Sequence, residues 1–271
     1  MKVIIFNDVQ NFNGSLDILN SRYGKTNKKF WDYNKYIPFL IRKINFLDKL
    51  KKEKLLLDKA FFYTGRYNSK LIEHLKWSCH KKIGEINRLI EKEKWLLDFV
   101  SQQKLSYELR IKVNHHIEDI KKELEEKRKA YFSYILKQER NFEGQRKLFE
   151  EIKKDKIIEI KSLPLKQKDG EVYQKGVDVL IATDLINLAH TNHYDLAIVL
   201  SGDTDLIEAI RLIRKMGKKV IIVSYHTPRN PEMSNISDLM TAGNHFLNLR
   251  NLNDEEVEKM SDLREDKSNS E

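Results

Sequence analysis

The chain has 271 residues, of which 40% are hydrophobic, so it can bury a full core. Its 50 lysine and arginine residues exceed its 41 aspartate and glutamate residues, which gives a net charge of +9. This balance favours partners that carry phosphate groups. The single cysteine, Cys79, excludes an intramolecular disulfide and a cysteine-rich zinc site, and it fits a reducing compartment.

The charge is distributed unevenly. Residues 251–271 carry eight acids and three bases, whereas residues 1–250 carry 47 bases and 33 acids, a net charge of +14. The acidic segment has little to bury, so we expect a disordered tail. The sequence begins directly with a strand pattern, without a leader, and no apolar run is long enough to span a membrane. We therefore expect a cytoplasmic protein with no membrane partner.

Short apolar runs alternate with amphipathic segments along much of the chain. We predict strands at residues 2–8, 60–63, 157–160, 220–223 and 246–249, and in the apolar run that opens residues 195–206. We predict helices from about residue 34 and over residues 176–192, 203–216 and 234–245. Strands that alternate with helices indicate an α/β fold with a doubly wound parallel sheet.

The region between residues 68 and 150 has a different pattern. It contains no proline and only two glycines, and its apolar residues recur at helical spacing among many lysines and glutamates. This pattern predicts two long amphipathic helices that are broken near residues 101–106. An antiparallel helical hairpin or coiled coil, inserted into the α/β fold, is favoured over a single continuous rod.

A polar segment at residues 11–33 combines cations with aromatic residues. Nucleic-acid bases stack on aromatic rings while cations contact phosphates, so this segment is a candidate for substrate binding. Alternatively, the aromatic residues anchor a loop on the core. The candidate phosphate-binding cations of this segment are Arg22, Lys25, Lys28 and Lys29.

Four aspartates occupy positions where a parallel sheet would gather them. Asp8 follows the first strand, Asp178 lies near the start of a helix, and Asp203 and Asp205 follow the strand near residue 200. Carboxylates that share one cleft repel each other, and a divalent cation relieves this repulsion. Oxygen ligands suit Mg²⁺ or Mn²⁺. Taken singly, each acid could instead serve a helix start, and Asp205 has capping-box spacing to Glu208.

These residues resemble the motifs of a known family. The motifs are Asp8-Val9-Gln10-Asn11, Lys175-Gly176-Val177-Asp178, Asp184 and Ser201-Gly202-Asp203-Thr204-Asp205. They are similar to those of NYN domains, the PIN-like nucleases that include the LabA-type proteins. The resemblance covers residues 1–67 and 142–250, and it leaves residues 68–141 as a helical insertion. It implies a PIN-like α/β fold that binds Mg²⁺ or Mn²⁺ and hydrolyses RNA.

The resemblance also implies roles for individual residues. Asp8, Asp178, Asp203 and Asp205 would be the catalytic metal ligands or would lie next to them, and Asn11 would orient a ligand or phosphate. Asp184 would hold its helix or a basic partner. Val9 and Leu206 depart from the residues most common in the family, but no acid is missing. The hypothetical mechanism is that one or two metal ions activate water and neutralise the scissile phosphate.

Further substrate contacts follow from position alone. Lys175 could contact a phosphate, and Ser201 or Thr204 could position water, although turn and cap roles fit the last two equally well.

A second function remains open, namely a non-catalytic RNA-binding or protein-assembly module that works through the helical insertion. The insertion could also form a homodimer. DNA is not excluded as the substrate. No phosphate-binding Gly-rich loop, nucleophile elbow or complete histidine zinc site is present.

Overall fold

The structure is a computed structural model, and it describes residues 1–24, 29–47, 53–168, 170–226 and 233–263. The chain divides into two compact units. The first, which we call the sheet unit, comprises Met1–Gly65, Glu151–Leu163 and Gln174–Glu271. The second, the helical unit, comprises Arg66–Glu150 and Pro164–Tyr173. Within the described residues, no helix is both long enough and apolar enough to cross a membrane.

Strands and helices alternate through most of the described chain. The strands are β1 (Lys2–Asp8), β2 (Lys29–Trp31), β3 (Leu56–Arg66), β4 (Ile158–Pro164), β5 (Lys166–Lys168), β6 (Glu171–Tyr173), β7 (Leu196–Leu200), β8 (Lys219–Ser224), β9 (His245–Asn248) and β10 (Ser261–Leu263). The helices are α1 (Val9–Asn20), α2 (Tyr33–Asn45), α3 (Ser69–Gln102), α4 (Tyr107–Ile152), α5 (Val177–His190), α6 (Ile207–Lys215), α7 (Met233–Ala242) and α8 (Asp254–Glu258).

The sheet unit is built on a six-stranded sheet with the order β4-β3-β1-β7-β8-β9. Strands β3, β1, β7, β8 and β9 pair in parallel. From β1 the chain adds β3 and β4 on one side and β7, β8 and β9 on the other. The order therefore reverses between β1 and β7, and ligands of doubly wound sheets bind at such a switch point, beyond the carboxyl ends of the strands.

Two hydrophobic clusters cover the two faces of this sheet. Alternate residues of a strand point to opposite faces, so Val3 and Ile5 pack with α1 and α2, whereas Ile4 and Phe6 pack with α5, α6 and α7. Burial on both faces explains why the central strands read as continuous apolar runs. The predicted doubly wound α/β fold is confirmed.

Helix α1 covers part of residues 11–33, a polar segment to which the sequence analysis assigns no helix. Asp8 caps the helix by accepting a hydrogen bond from the backbone N–H of Asn11 at 3.2 Å. Phe12, Leu16 and Leu19 are fully buried along its inner face. These three residues are spaced by four and three positions, which places them on one face of a helix. Their burial outweighs the weak helix propensity of the polar residues between them.

The helical unit contains the predicted antiparallel hairpin. Cys79 and Ile83 of α3 pack with Ile135 of α4, and Lys76 forms an ion pair with Glu139. The contacts move down α4 as they move up α3, as an antiparallel arrangement requires. The short strands β5 and β6 form an antiparallel hairpin in the same unit.

The segment after residue 250 also differs from its prediction. The sequence predicts a disordered tail over residues 251–271, but the described part of it holds α8 and then β10, which pairs with β2. Asn253 and Glu256 form a capping box, and Val257 and Met260 are fully buried. Buried apolar residues and a cap therefore help to order this acidic stretch. Residues 264–271 lie outside the described residues.

Candidate functional site

The carboxyl end of β1 brings Asp8 into the interior of the sheet unit. Its side chain is 2% exposed and accepts two hydrogen bonds, one from the Asn11 N–H and one from the Ser201 hydroxyl at 3.4 Å. Both partners lie at the switch point between β1 and β7. Asp8 is thus fixed in position as well as buried.

The loop after β7 carries the second acid. The side-chain oxygen of Asn11 accepts a hydrogen bond from Gly202 N–H at 2.7 Å, and the Ser201 hydroxyl accepts one from Asp203 N–H at 3.1 Å. Asp203 in turn accepts a hydrogen bond from Asp205 N–H at 2.9 Å, which begins the 3₁₀ turn Thr204–Leu206. Asn11 and Ser201 therefore connect this loop to the end of β1.

Asp178 supplies the third acid from the first turn of α5. Gly176 precedes this helix with φ of +83°, a left-handed conformation that favours glycine. One carboxylate oxygen from each of Asp8, Asp178 and Asp203 lies within 4.8 Å of the other two. Three elements that are distant in sequence thus bring three acids together.

The acids are poorly compensated by the protein. Burial, with smaller contributions from the neighbouring Asp178 and Asp203 carboxylates, raises the pKa of Asp8 to about 6. Burial also raises the pKa of Asp178, with contributions from Asp203 and Asp205. Among the described residues, no lysine or arginine forms an ion pair with any of the three clustered acids. The cluster therefore favours a bound cation.

An open cleft of about 550 Å³ contains these acids. Sequence reasoning missed several of the polar side chains that line it, because strand order cannot be read from the chain. Ser224 and His226 come from the end of β8, which neighbours β7, and Gln174 precedes α5. The Nδ1 atom of His226 is buried without a hydrogen-bond partner among the described residues.

Comparison with known protein families identifies a domain family for this chain. The family model of the NYN domain matches residues 99–250, more than half of the chain. This chain belongs to the NYN-domain family. NYN domains are a PIN-like nuclease family, so the predicted family is confirmed. The match includes Asp178 and Asp203, whereas Asp8 precedes it.

Individual relatives add little to the family assignment. The chain is 36% identical over 64 residues to an uncharacterized protein, y4oD, of Sinorhizobium fredii. That match covers 24% of this chain and 30% of the relative, so the chain spans less than a third of the relative's length. A crystal structure of a protein of unknown function from Vibrio parahaemolyticus aligns over 96% of this chain and 95% of that one, with 16% identity and a TM-score of 0.41.

Three further predicted site residues of the NYN domain lie outside the cluster of three acids. Asp205 is exposed and outside the cluster of three. The sequence leaves the helix cap open between Asp203 and Asp205, and Asp203 makes it, because its carboxylate accepts a hydrogen bond from the N–H two residues later. Thr204 is half-buried in the same turn, and Lys175 is exposed before α5. Their contacts with metal or substrate remain predictions.

Two of the four predicted phosphate-binding cations have partners within the protein. Lys29 pairs with Glu258 at 3.5 Å and lies over the Tyr23 ring, with a side chain only 9% exposed. Arg22 donates hydrogen bonds to the carbonyl groups of Arg250 and Leu252. These contacts favour the alternative that the segment is anchored on the core. Lys25 and Lys28 lie outside the described residues.

Asp184 has a partner of the predicted kind. Its carboxylate accepts hydrogen bonds from the Tyr63 hydroxyl at 2.9 Å and from the Lys161 ammonium group at 2.7 Å. The Lys161 ammonium group also lies 4.4 Å from the centre of the Phe61 ring. Asp184 thereby ties α5 to β3 and β4.

Proposed function

We propose that this NYN domain is a metal-dependent ribonuclease that hydrolyses RNA phosphodiester bonds at Asp8, Asp178 and Asp203. The observation that carries the proposal is the convergence of these three carboxylates in an open cleft, where one oxygen from each lies within 4.8 Å of the other two. Membership of a nuclease-type family supports the reaction class, and the basic composition supports a phosphate-bearing substrate.

The donor set fits Mg²⁺ or Mn²⁺. All three candidate ligands are hard carboxylate oxygens, and neither sulfur nor imidazole belongs to the cluster. Asp8, Asp178 and Asp203 would hold the ion, with exposed Asp205 adding negative charge nearby. A bound divalent cation supplies water activation and charge neutralisation at the scissile phosphate.

The protein's own residues orient the acids. The Ser201 hydroxyl and the Asn11 N–H each bond one oxygen of Asp8, which holds its carboxylate in a single orientation. Asn11 also bonds Gly202 N–H and so fixes the loop that carries Asp203. In this proposal, Asn11 and Ser201 act by positioning the acids, while Lys175 and Thr204 contact the substrate from the rim of the site.

The test is cleavage of labelled RNA by the purified full-length protein in Mn²⁺ or Mg²⁺, with EDTA as a parallel condition. Asp178→Asn and Asp203→Asn should lower the cleavage rate at least about 100-fold, because each removes a carboxylate ligand of the metal ion that neutralises the scissile phosphate. Asp17→Asn, an exposed acid on α1, is the matched control and should cleave at the wild-type rate. Titration calorimetry measures the affinity for Mn²⁺ independently of cleavage.

Equal cleavage by wild type and the Asp203→Asn variant would mean that the activity is a contaminant and would overturn the assigned site. RNA binding without cleavage in any metal would instead favour the non-catalytic module. Parallel reactions with DNA of the same sequence decide between the two substrates, and mass in solution tests the predicted homodimer.

A further inference from the structure

One face of α3 carries cations and aromatic rings that the core does not use. The residues on this face recur at spacings of three, four and seven, so they form one row along the helix. The row, which we call the α3 row, is Lys70, Trp77, Lys81, Arg88, Lys92, Trp95 and Phe99. It extends over about 44 Å at 1.5 Å per residue.

The α3 row lies opposite the packed face of the same helix. Ile72, Cys79, Ile83 and Ile90 of that packed face are buried, whereas every member of the row is exposed. The aromatic members are unusually open to solvent. Trp77 is 63% exposed, Trp95 is 62% exposed and Phe99 is 45% exposed. Burial of the hairpin core therefore does not explain the three aromatic residues.

The cations of the row are also uncompensated. Among the described residues, Lys70, Lys81, Arg88 and Lys92 take part in no ion pair. Helix α4 of the same unit also carries unpaired exposed lysines, but two of its exposed cations pair with acids at helical spacing. These pairs are Lys127–Glu123 at 2.7 Å and Arg146–Glu143 at 2.8 Å.

Cations and rings are adjacent within the row. The Lys81 ammonium group lies 5.7 Å from the centre of the Trp77 ring, and the rings of Trp95 and Phe99 stack with centres 5.3 Å apart. A ring face beside an unpaired cation matches a nucleotide, whose base stacks while its phosphate is neutralised. Bases in a duplex are already stacked on each other, so this chemistry favours a single strand.

We propose that the α3 row binds single-stranded RNA without sequence preference. This inference rests on the proposed function for its biological role, since a strand bound to the same chain as the acids is present at a high effective concentration. Phosphates contact Lys81, Arg88 and Lys92, and bases stack on Trp77 and Trp95. Recognition of the sugar-phosphate chain and of ring faces needs no base-specific hydrogen bonds.

The experiment measures binding apart from cleavage. All proteins carry Asp203→Asn and are kept in EDTA, and a fluorescent oligouridine is titrated with the full-length chain while anisotropy is recorded. The test variant is Lys81→Glu/Arg88→Glu/Lys92→Glu. The matched control, Lys122→Glu/Lys129→Glu/Lys137→Glu, makes an equal charge change at exposed positions of α4.

We expect the α3 charge variant to bind at least tenfold more weakly than the α4 control. Its salt dependence should also weaken, with the slope of log K against log salt reduced by about two for three lost phosphate contacts. Trp77→Ala/Trp95→Ala should bind at least about fivefold more weakly at unchanged salt slope. Its control is Phe132→Ala/Leu136→Ala, which removes exposed apolar residues from α4. Circular dichroism checks that each variant is folded.

Equal weakening by the α3 and α4 charge variants would overturn the inference, since it would show that RNA binding depends on the net charge of the protein and not on the α3 row. Unchanged binding by both α3 variants would do the same. Row-dependent binding to anionic vesicles in place of RNA, or row-dependent self-association without RNA binding, would assign the row to another partner. Binding is measured with Asp203→Asn variants in EDTA, so it does not depend on cleavage. Failure of the proposed nuclease activity and failure of RNA binding by the α3 row are therefore separate results.

Discussion

The two units of the molecule concentrate opposite charges by different means. In the sheet unit, strand order brings Asp8, Asp178 and Asp203 together from positions up to 195 residues apart, and the site is partly buried. In the helical unit, helical periodicity alone aligns the cations of the α3 row on an exposed surface. Both sets lack partners of opposite charge among the described residues, but only the first includes a buried charge, that of Asp8, which is 2% exposed.

This difference determines what each set of charges does to stability. A buried carboxylate that lacks a cation has lost favourable hydration, so its ionisation opposes folding. An exposed ammonium group retains its hydration and has little effect on the folded state. The acid cluster should therefore destabilise the metal-free protein, whereas the α3 row should contribute to binding without affecting folding.

The largest expected effect comes from removing the buried charge. The pKa of Asp8 is about 6 in the folded protein and about 4 in the unfolded chain, so the free energy of unfolding falls as pH rises from about 4 to 6. Two pKa units correspond to about 3 kcal/mol at most. Asp8→Asn should therefore raise the free energy of unfolding by up to about 3 kcal/mol at pH 7.5 in EDTA.

Urea unfolding at several pH values checks this prediction. The difference between variant and wild type should disappear below pH 4, where Asp8 is protonated in both states. Mn²⁺ should stabilise the wild type and have a weaker effect on Asp8→Asn. Asp17→Asn, with its exposed side chain, is the control and should show neither trend. A less stable Asp8→Asn protein in EDTA at pH 7.5 would mean that the hydrogen bonds of Asp8 outweigh its desolvation.

A smaller effect should follow from crowding the loop that carries Asp203. A Cβ atom on Gly202 would lie 2.5 Å from the Ser224 hydroxyl oxygen and 3.4 Å from the side-chain oxygen of Asn11. Gly202→Ala should shift this loop and weaken Mn²⁺ binding by about tenfold, the lower end of the range for residues that orient metal ligands.

A second substitution makes the cause of that loss visible. Ser224→Ala removes the clashing oxygen and leaves the Ser224 Cβ at 3.5 Å, which is an ordinary contact distance. The double variant Gly202→Ala/Ser224→Ala should therefore recover much of the Mn²⁺ affinity in calorimetry, with Ser224→Ala alone as the control. Failure to recover would show that the contact with the Ser224 hydroxyl is not the cause of the loss and that Gly202 matters for another reason.

The sequence predicts the helical unit more completely than the site. Periodicity is a local signal, so the two long helices and the break between them follow directly from residues 68–150. The strands β1, β7 and β8 also follow, because burial on both faces makes them continuous apolar runs. Helix α1 was missed because its polar residues hide the spacing of Phe12, Leu16 and Leu19, although that spacing was available as a signal.

The composition of the site needed information that the sequence lacks. Asp8, Asp178 and Asp203 were found through strand ends and family motifs, but Ser224 and His226 enter the cleft only because β8 neighbours β7. The choice of cap could not be made either, because Asp203 and Asp205 both precede a helical segment. Local geometry decides for Asp203, which accepts the hydrogen bond from the N–H two residues later.

The smallest expected effect concerns the stability of the α3 row. Lys81→Glu/Arg88→Glu/Lys92→Glu should change the free energy of unfolding by no more than about 0.5 kcal/mol per position, because all three side chains are exposed and none forms an ion pair within the described residues. Urea unfolding of this variant beside Asp8→Asn compares exposed and buried charges in one protein. A loss of several kcal/mol would show that these cations support the helical hairpin, and the weakened RNA binding of the variant could then no longer be attributed to lost phosphate contacts.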